Sequence, residues 1–312
     1  MTRHLLHPGP DATRVATSPA APPPPGAPAA RTVTTRPVVR PAAFVLSGAL
    51  AVATTAACVP TFFVDGVLLG PAVMRGSARG TALVLLVLGV PALLGLMAAV
   101  RRAGPTWARR AFLAWVGTAA YVVYNAVMLV LGTPFNALFL LYEAMLALGI
   151  GSLVALLAGL DPTTLAPPRD RAPYRAVGAW IGFVATANAL VWLRMVVPAL
   201  GDPADAAFLR GTGLTTFPTH VQDLAFWLPL ALVVAVWLWQ RRPWGYVLGS
   251  ALVVYYVAEA VGVGVDQWMG SSADPASDVA TMAGAYLFAV MAVVGVVPLV
   301  ALLRHPDGTT SA

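Results

Sequence analysis

Three charged residues lie inside long apolar runs of this 312-residue sequence, where they could do chemistry within a membrane. Glu143 and Glu259 are the only glutamates of the chain, and Arg194 is the third charge. On insertion scales, a charge near the centre of a bilayer costs roughly 2.5–3.5 kcal/mol, so we expect the three to face a bundle interior and to pair. Counted from the predicted helix ends, all three lie about 9–12 Å below the same membrane boundary.

Polar side chains accompany these charges at helical spacing. Tyr121, Tyr124 and Asn125 share one helix face at i, i+3 and i+4. Tyr255 lies one helical turn before Glu259, and Asn136 lies two turns before Glu143. Because lipid cannot hydrate such groups, they must find partners or water within the protein. The sequence therefore predicts an outward-facing polar pocket, whose residues would be Glu143, Arg194, Glu259, Tyr121, Tyr124, Asn125, Asn136 and Tyr255.

In this hypothesis Arg194 bridges one or both glutamates. The residue types allow three roles: an ion pair that only fixes helix packing, a site for a ligand or ion, or a proton relay in which two carboxyl groups surround one arginine. The residue pattern alone does not choose among them.

The sequence carries no recognisable catalytic or metal-binding motif. HExxH, GxSxG, P-loop and dinucleotide-binding patterns are absent, so we lean against an enzyme and expect no cofactor. The single cysteine, Cys58, excludes an internal disulfide. His220 and Asp223 have the i, i+3 spacing of a metal pair but lack a third ligand, and Asp223 is more simply an acid in the first turn of a helix.

The elements that would position these residues are apolar helices. The chain is 59% hydrophobic and 10% charged, against about 25% charged in soluble domains. A span needs roughly 20 apolar residues, and eight runs reach that length: about 42–60, 80–100, 110–131, 135–160, 175–199, 222–240, 243–265 and 279–303. The segment 60–74 is predicted to be interfacial, re-entrant or a continuation of the first span.

The arginines predict the orientation of these spans. The chain has no lysine, and with eight spans and both termini inside, 15 of its 19 basic residues fall on the cytoplasmic side. Because the arginines occur as short clusters between apolar runs and not as one stripe, we expect no nucleic-acid partner. The short acidic loop 266–278 falls outside.

The predicted fold is thus an all-α, polytopic membrane helix bundle of about eight spans, with both termini cytoplasmic. Residues 1–40 are rich in Pro, Ala and Arg and predict a disordered tail. Residues 41–304 form the transmembrane domain, and 305–312 form a short cytoplasmic tail.

Several separate patches resemble a group of uncharacterised multi-pass membrane proteins of actinobacteria. They include Tyr124-Asn125, the stretch from Phe135 to Tyr142, His220-x-x-Asp223-Leu224, and Arg241-Arg242-Pro243-x-Gly245-Tyr246. The resemblance covers about 60–260 and implies an all-helical integral membrane protein without an assigned activity. The similar proteins tend to have an aspartate at the position of Ala82 and an apolar residue at that of Glu143.

Two functions stay open at this stage. One is a membrane protein that binds or moves a small solute or cation through the polar pocket. The other is a structural or accessory subunit that docks another membrane protein, with the buried charges serving helix packing only. In both, the lipid bilayer of the cell membrane is the surrounding medium.

Overall fold

The described part of the chain consists of helices and their connections. The computed structural model describes residues 36–166 and 172–304, and no strand occurs in these two ranges. Within them, eight helices are long and apolar enough to cross a membrane: α1 (Pro41–Phe63), α2 (Ala72–Arg102), α3 (Pro105–Gly132), α4 (Phe139–Leu157), α5 (Tyr174–Ala199), α6 (Pro218–Trp239), α7 (Pro243–Ala273) and α8 (Met282–Leu303). The predicted all-α class and the number of spans are confirmed. The predicted cytoplasmic position of both termini stays a prediction.

The structure describes little of the two predicted tails. Most of the tail predicted to be disordered, residues 1–35, lies outside the described residues, and so does the predicted tail 305–312. The loop segment 167–171 is likewise not described. Residues 36–40 are described and precede α1 without regular structure.

Helices α3 and α7 form the centre of the bundle. Helix α7 contacts α2, α3, α6 and α8, and α3 contacts α2, α4 and the first turn of α6. Helix α1 packs against α4 and α2, while α5 packs mainly against α6. Helix α3 is the most buried of the eight, which places its polar residues between neighbouring helices and away from lipid.

Hydrogen bonds between side chains hold α1 in place. The Trp115 indole Nε1 on α3 donates to Ser47 Oγ at 3.0 Å, and the Thr61 and Tyr142 hydroxyl oxygens lie 2.7 Å apart between α1 and α4. Both contacts are buried. In an apolar medium such bonds satisfy groups that lipid would leave unpaired.

Two helix boundaries differ most from the sequence prediction, the start of α2 and the end of α7. The segment 60–74 comprises the end of α1, an irregular loop at 64–71 and the start of α2 at Ala72. Helix α7 continues to Ala273, well past the predicted end at residue 265. The extra turns of α7 pack against α2, where Gly76 and Gly80 let the two backbones approach closely. Asp266, predicted to lie in an outer loop, is therefore a helical residue.

A close crossing of α3 and α7 gives a first prediction about stability. A Cβ atom at Gly117 would lie less than van der Waals distance from the Ala251 carbonyl oxygen, whereas Gly95 on α2 faces open space. We expect Gly117→Ala to lower the free energy of unfolding by about 1–3 kcal/mol, because the two helices must move apart. Equilibrium unfolding in detergent micelles measures the change, with Gly95→Ala as the control. Equal stability of the two variants would contradict the close crossing.

Candidate functional site

Glu259 lies near the middle of α7 and is hydrogen-bonded to α3. The Asn125 side-chain Nδ2 donates to Glu259 Oε2 at 2.8 Å and also to the Tyr121 carbonyl oxygen at 3.0 Å. At 1.5 Å per residue, Glu259 is about 24 Å from the start of α7 and about 21 Å from its end. Asn125 is 5% exposed and Glu259 is partly buried, so an acidic group stands between central helices, near the middle of the candidate span α7.

Asp266 lies two turns further along α7, on the same face. Seven residues along an α-helix correspond to about 10 Å and return to almost the same direction. The Thr81 hydroxyl of α2 donates to Asp266 Oδ1 at 3.3 Å. Asp266 and Glu259 are close enough to interact electrostatically.

The hydroxyl of Tyr121 lies beside α7 between these two acids. A Cβ atom at Gly262 would lie 3.0 Å from the Tyr121 hydroxyl oxygen, so the glycine makes room for it. Tyr121 is fully buried and interacts electrostatically with both Glu259 and Asp266. Within the described residues its hydroxyl has no hydrogen-bond partner. The unpaired Tyr121 hydroxyl oxygen therefore lies beside α7 between the two carboxyl groups.

A third acid, Asp223, enters the cluster from α6. The Trp192 indole Nε1 of α5 donates to Asp223 Oδ2 at 2.8 Å, and the side chains of Tyr124 and Asn188 lie close to this carboxyl. Asp223 is 5% exposed and opens a π-helical turn, Asp223–Trp227, within α6. Such turns are often found at functional sites.

Aromatic rings connect Asp223 with Glu259. Tyr255 stacks on Trp227, with ring centroids 4.9 Å apart and an interplanar angle of 12°, and the Tyr124 ring lies 5.6 Å from that of Tyr255. Both tyrosines interact electrostatically with Asp223 and Glu259. We call Asp223, Glu259 and Asp266 the acidic row.

The acidic row has no positively charged partner among the described residues. Ion pairs there lie outside the acidic row: Asp65 of the 64–71 loop pairs with Arg79 of α2, and Asp205 pairs with Arg210 in the connection between α5 and α6. The hydrogen-bonded Arg210 guanidinium holds the pKa of the exposed Asp205 carboxyl below its usual value. The carboxyl groups inside the bundle have only neutral hydrogen-bond donors instead.

The structure does not bring Arg194 to the glutamates. Its side chain is exposed on α5, and within the described residues it takes part in no ion pair. Glu143 is partly exposed on α4 and has no hydrogen bond or ion pair in the same ranges. The predicted bridge from Arg194 to one or both glutamates is therefore wrong, as is the expectation that the three charges meet.

Asn136 serves the turn between α3 and α4. Its Nδ2 donates to the Pro134 carbonyl oxygen at 2.9 Å, and its Oδ1 accepts from the Leu138 backbone N–H at 2.9 Å. These bonds close a local turn of the kind that asparagine favours. Five of the eight residues proposed for the pocket do lie together: Tyr121, Tyr124, Asn125, Tyr255 and Glu259.

Sequence reasoning missed two of the three acids in the acidic row. The apolar run ends before Asp266 and so predicts a loop there, although the i+7 spacing of Asp266 from Glu259 on a longer helix indicates a common face. The sequence position of Asp223 predicts an acid that opposes a helix dipole, but its hydrogen-bond donor comes from another helix.

No group of three His, Cys, Asp or Glu residues in the described ranges could hold a metal ion.

The position of Arg194 leads to a second prediction. We expect Arg194→Gln to change the free energy of unfolding by no more than about 0.5 kcal/mol, because an exposed side chain without partners contributes little. Unfolding in detergent measures this, with Arg79→Gln as a comparison that removes the ion pair to Asp65. If the free energy of unfolding of Arg194→Gln fell by several kcal/mol, Arg194 would have to be buried and paired, contrary to its exposed position.

These features define a class: the described part of the chain has the architecture of a multi-pass membrane protein, with eight candidate spans in residues 36–166 and 172–304 and an acidic interior. Comparison with protein-family models, with curated proteins and with solved structures finds no match.

Proposed function

We propose that this integral membrane protein binds and moves a small monovalent cation, H⁺ or Na⁺, along the acidic row. The observation that carries the proposal is the set of three carboxyl groups inside the bundle that have neutral hydrogen-bond donors and no arginine partner among the described residues. An ionised carboxylate is costly in a medium of low dielectric constant unless a positive charge compensates it. A bound proton or metal cation supplies that charge.

A single positive charge suits each of these positions. Glu259 has Asn125 beside it, Asp266 has Thr81, and each site contributes one carboxyl group with neutral oxygen or nitrogen atoms. Divalent ions usually take several carboxylates, whereas one carboxylate is neutralised by one proton or one Na⁺. The electrostatic interaction of Glu259 with both aspartates favours sequential occupancy, since full ionisation of all three would be repulsive.

The direction of the acidic row supports movement and not only binding. Glu259 lies near the middle of α7, and Asp266 lies about 10 Å closer to the end of α7 that the arginine distribution predicts to be outside. The unpartnered Tyr121 hydroxyl stands between them. Intramembrane acids at such positions are typical of ion and proton pathways. The same arginine distribution supports a location in the cell membrane.

Flux into proteoliposomes tests the proposal. Purified protein is reconstituted into vesicles, a potassium diffusion potential is imposed, and uptake is followed with a pH-sensitive dye for H⁺ and with radioactive sodium for Na⁺. We expect uptake of one of the two ions above that of protein-free vesicles. Protein that is correctly folded but gives no uptake of either ion would favour the alternative, an accessory subunit whose buried polar groups serve helix packing only.

A further inference from the structure

Positive charge collects around the turn that joins α2 to α3, at the end of the bundle that is predicted to be cytoplasmic. The arginines there are Arg36, Arg101, Arg102, Arg110 and Arg304. None of them forms an ion pair with a carboxyl group within residues 36–166 and 172–304. Arg79 and Arg210, in contrast, each pair with an aspartate. The charge at the turn is therefore not compensated by the described part of the protein.

Backbone carbonyl groups and aromatic rings hold these side chains in place. The terminal nitrogens of Arg36 donate to the Arg101 carbonyl oxygen at 3.2 Å and to the Ala103 carbonyl oxygen at 2.7 Å. The guanidinium carbon of Arg101 lies 3.9 Å from the centroid of the Phe44 ring on α1. A guanidinium group has five N–H donors, so both exposed arginines keep donors for an anion while their positions are fixed.

Arg110 connects the same turn with the end of α8. Its Nη2 donates to the Arg304 carbonyl oxygen at 3.4 Å, and its guanidinium carbon lies 5.0 Å from the centroid of the Trp107 ring. Trp107 is 65% exposed, and tryptophan is enriched where a membrane meets water. Trp107 and the ends of α2 and α8 therefore indicate that the arginines lie at the level of phospholipid head groups.

An apolar surface continues from the arginines toward the middle of α2. Leu94 precedes Arg101 by seven residues, which places it on the same helix face about 10 Å away. The Leu94 side chain is 49% exposed, and Val45 on α1, next to Phe44, is 69% exposed. Cationic groups at one level with exposed apolar side chains below them match the two parts of a phospholipid, its phosphate and its acyl chains.

We infer that the turn between α2 and α3 binds an anionic phospholipid, with the phosphate among the arginines and an acyl chain along Leu94. Guanidinium groups give a phosphate charge-assisted hydrogen bonds, which are stronger than those of neutral donors. Because the positive charges are not compensated, a head group with net negative charge is favoured over a zwitterionic one. This inference does not depend on the proposed cation transport.

Native mass spectrometry tests the inference. Full-length protein in neutral detergent micelles is titrated with phosphatidylglycerol and separately with phosphatidylcholine of the same acyl chains, and the bound lipids are counted. We expect the first phosphatidylglycerol to bind about tenfold more tightly than phosphatidylcholine. The double variant Arg101→Gln, Arg102→Gln removes two exposed charges and should weaken phosphatidylglycerol binding by about tenfold, because each arginine near the head group adds to the attraction.

Two further double variants separate a local site from the net charge of the protein. Arg75→Gln, Arg194→Gln removes two exposed arginines from other parts of the chain and should bind phosphatidylglycerol like the wild type. Arg36→Gln, Arg304→Gln removes two charges from the flanks of the turn and should weaken binding even if the first double variant fails to fold.

Three results would overturn the inference. One is equal binding of phosphatidylglycerol and phosphatidylcholine by the wild type. Another is wild-type binding of phosphatidylglycerol by folded protein of both double variants around the turn. The third is displacement of phosphatidylglycerol by inorganic phosphate at equal concentration, since the turn would then hold a free anion and not a lipid.

Discussion

Replacing Glu259 by glutamine is expected to reduce cation flux by about 100-fold or more, in line with the loss of a positioned proton-transfer group. The substitution removes the negative charge but keeps a side-chain carbonyl oxygen that can accept the hydrogen bond from Asn125 Nδ2, which is 2.8 Å away in the wild type. Packing between α3 and α7 is therefore retained, and the free energy of unfolding should change by less than about 1 kcal/mol. Proteoliposome uptake and unfolding in detergent measure the two quantities on the same preparation.

The chain supplies its own matched control. Glu143→Gln makes the same chemical change at the only other glutamate, which is partly exposed on α4 and has no ion pair in the described ranges. Its flux should equal that of the wild type. If Glu259→Gln transports normally, or if both variants lose flux together, the acidic row is not the path of the cation.

Removing the carboxyl of Asp223 is expected to give the largest loss of stability among acidic substitutions. Asp223→Leu leaves the Trp192 indole N–H without its acceptor and removes the carboxyl beside Tyr124 and Asn188. Because a donor left unsatisfied inside the bundle costs about 1–3 kcal/mol, the free energy of unfolding should fall by about that amount. Equilibrium unfolding in detergent measures the loss.

Two control variants test whether the stability loss in Asp223→Leu comes from removing the buried carboxyl. Asp223→Asn keeps one acceptor oxygen and should lose about half as much stability, because only part of the network is broken. Asp278→Asn, at an exposed position beyond α7, should change stability by less than about 0.5 kcal/mol. A loss below about 1 kcal/mol for Asp223→Leu would mean that Asp223 does not anchor α5 and α6 to the centre of the bundle.

The sequence determined the features that depend on composition and local spacing. Eight apolar runs of sufficient length predict eight spans, because lipid cannot hydrogen-bond to the backbone and a helix pairs its own N–H and C=O groups. The spacing of Tyr121, Tyr124 and Asn125 places them on one face of α3, and Glu259 is costly to expose to lipid. Those residues do meet between α3 and α7.

Only the tertiary structure decided which face each helix directs toward the bundle interior and where α7 ends. Helix α5 is apolar around most of its circumference, so hydrophobic periodicity does not fix its rotation. The close approach of Gly178 to α6 does, and it leaves Arg194 exposed while Trp192 reaches Asp223. Asp266 became part of the site because α2 packs on the extra turns of α7. Contacts between distant segments set both outcomes, and no local pattern encodes them.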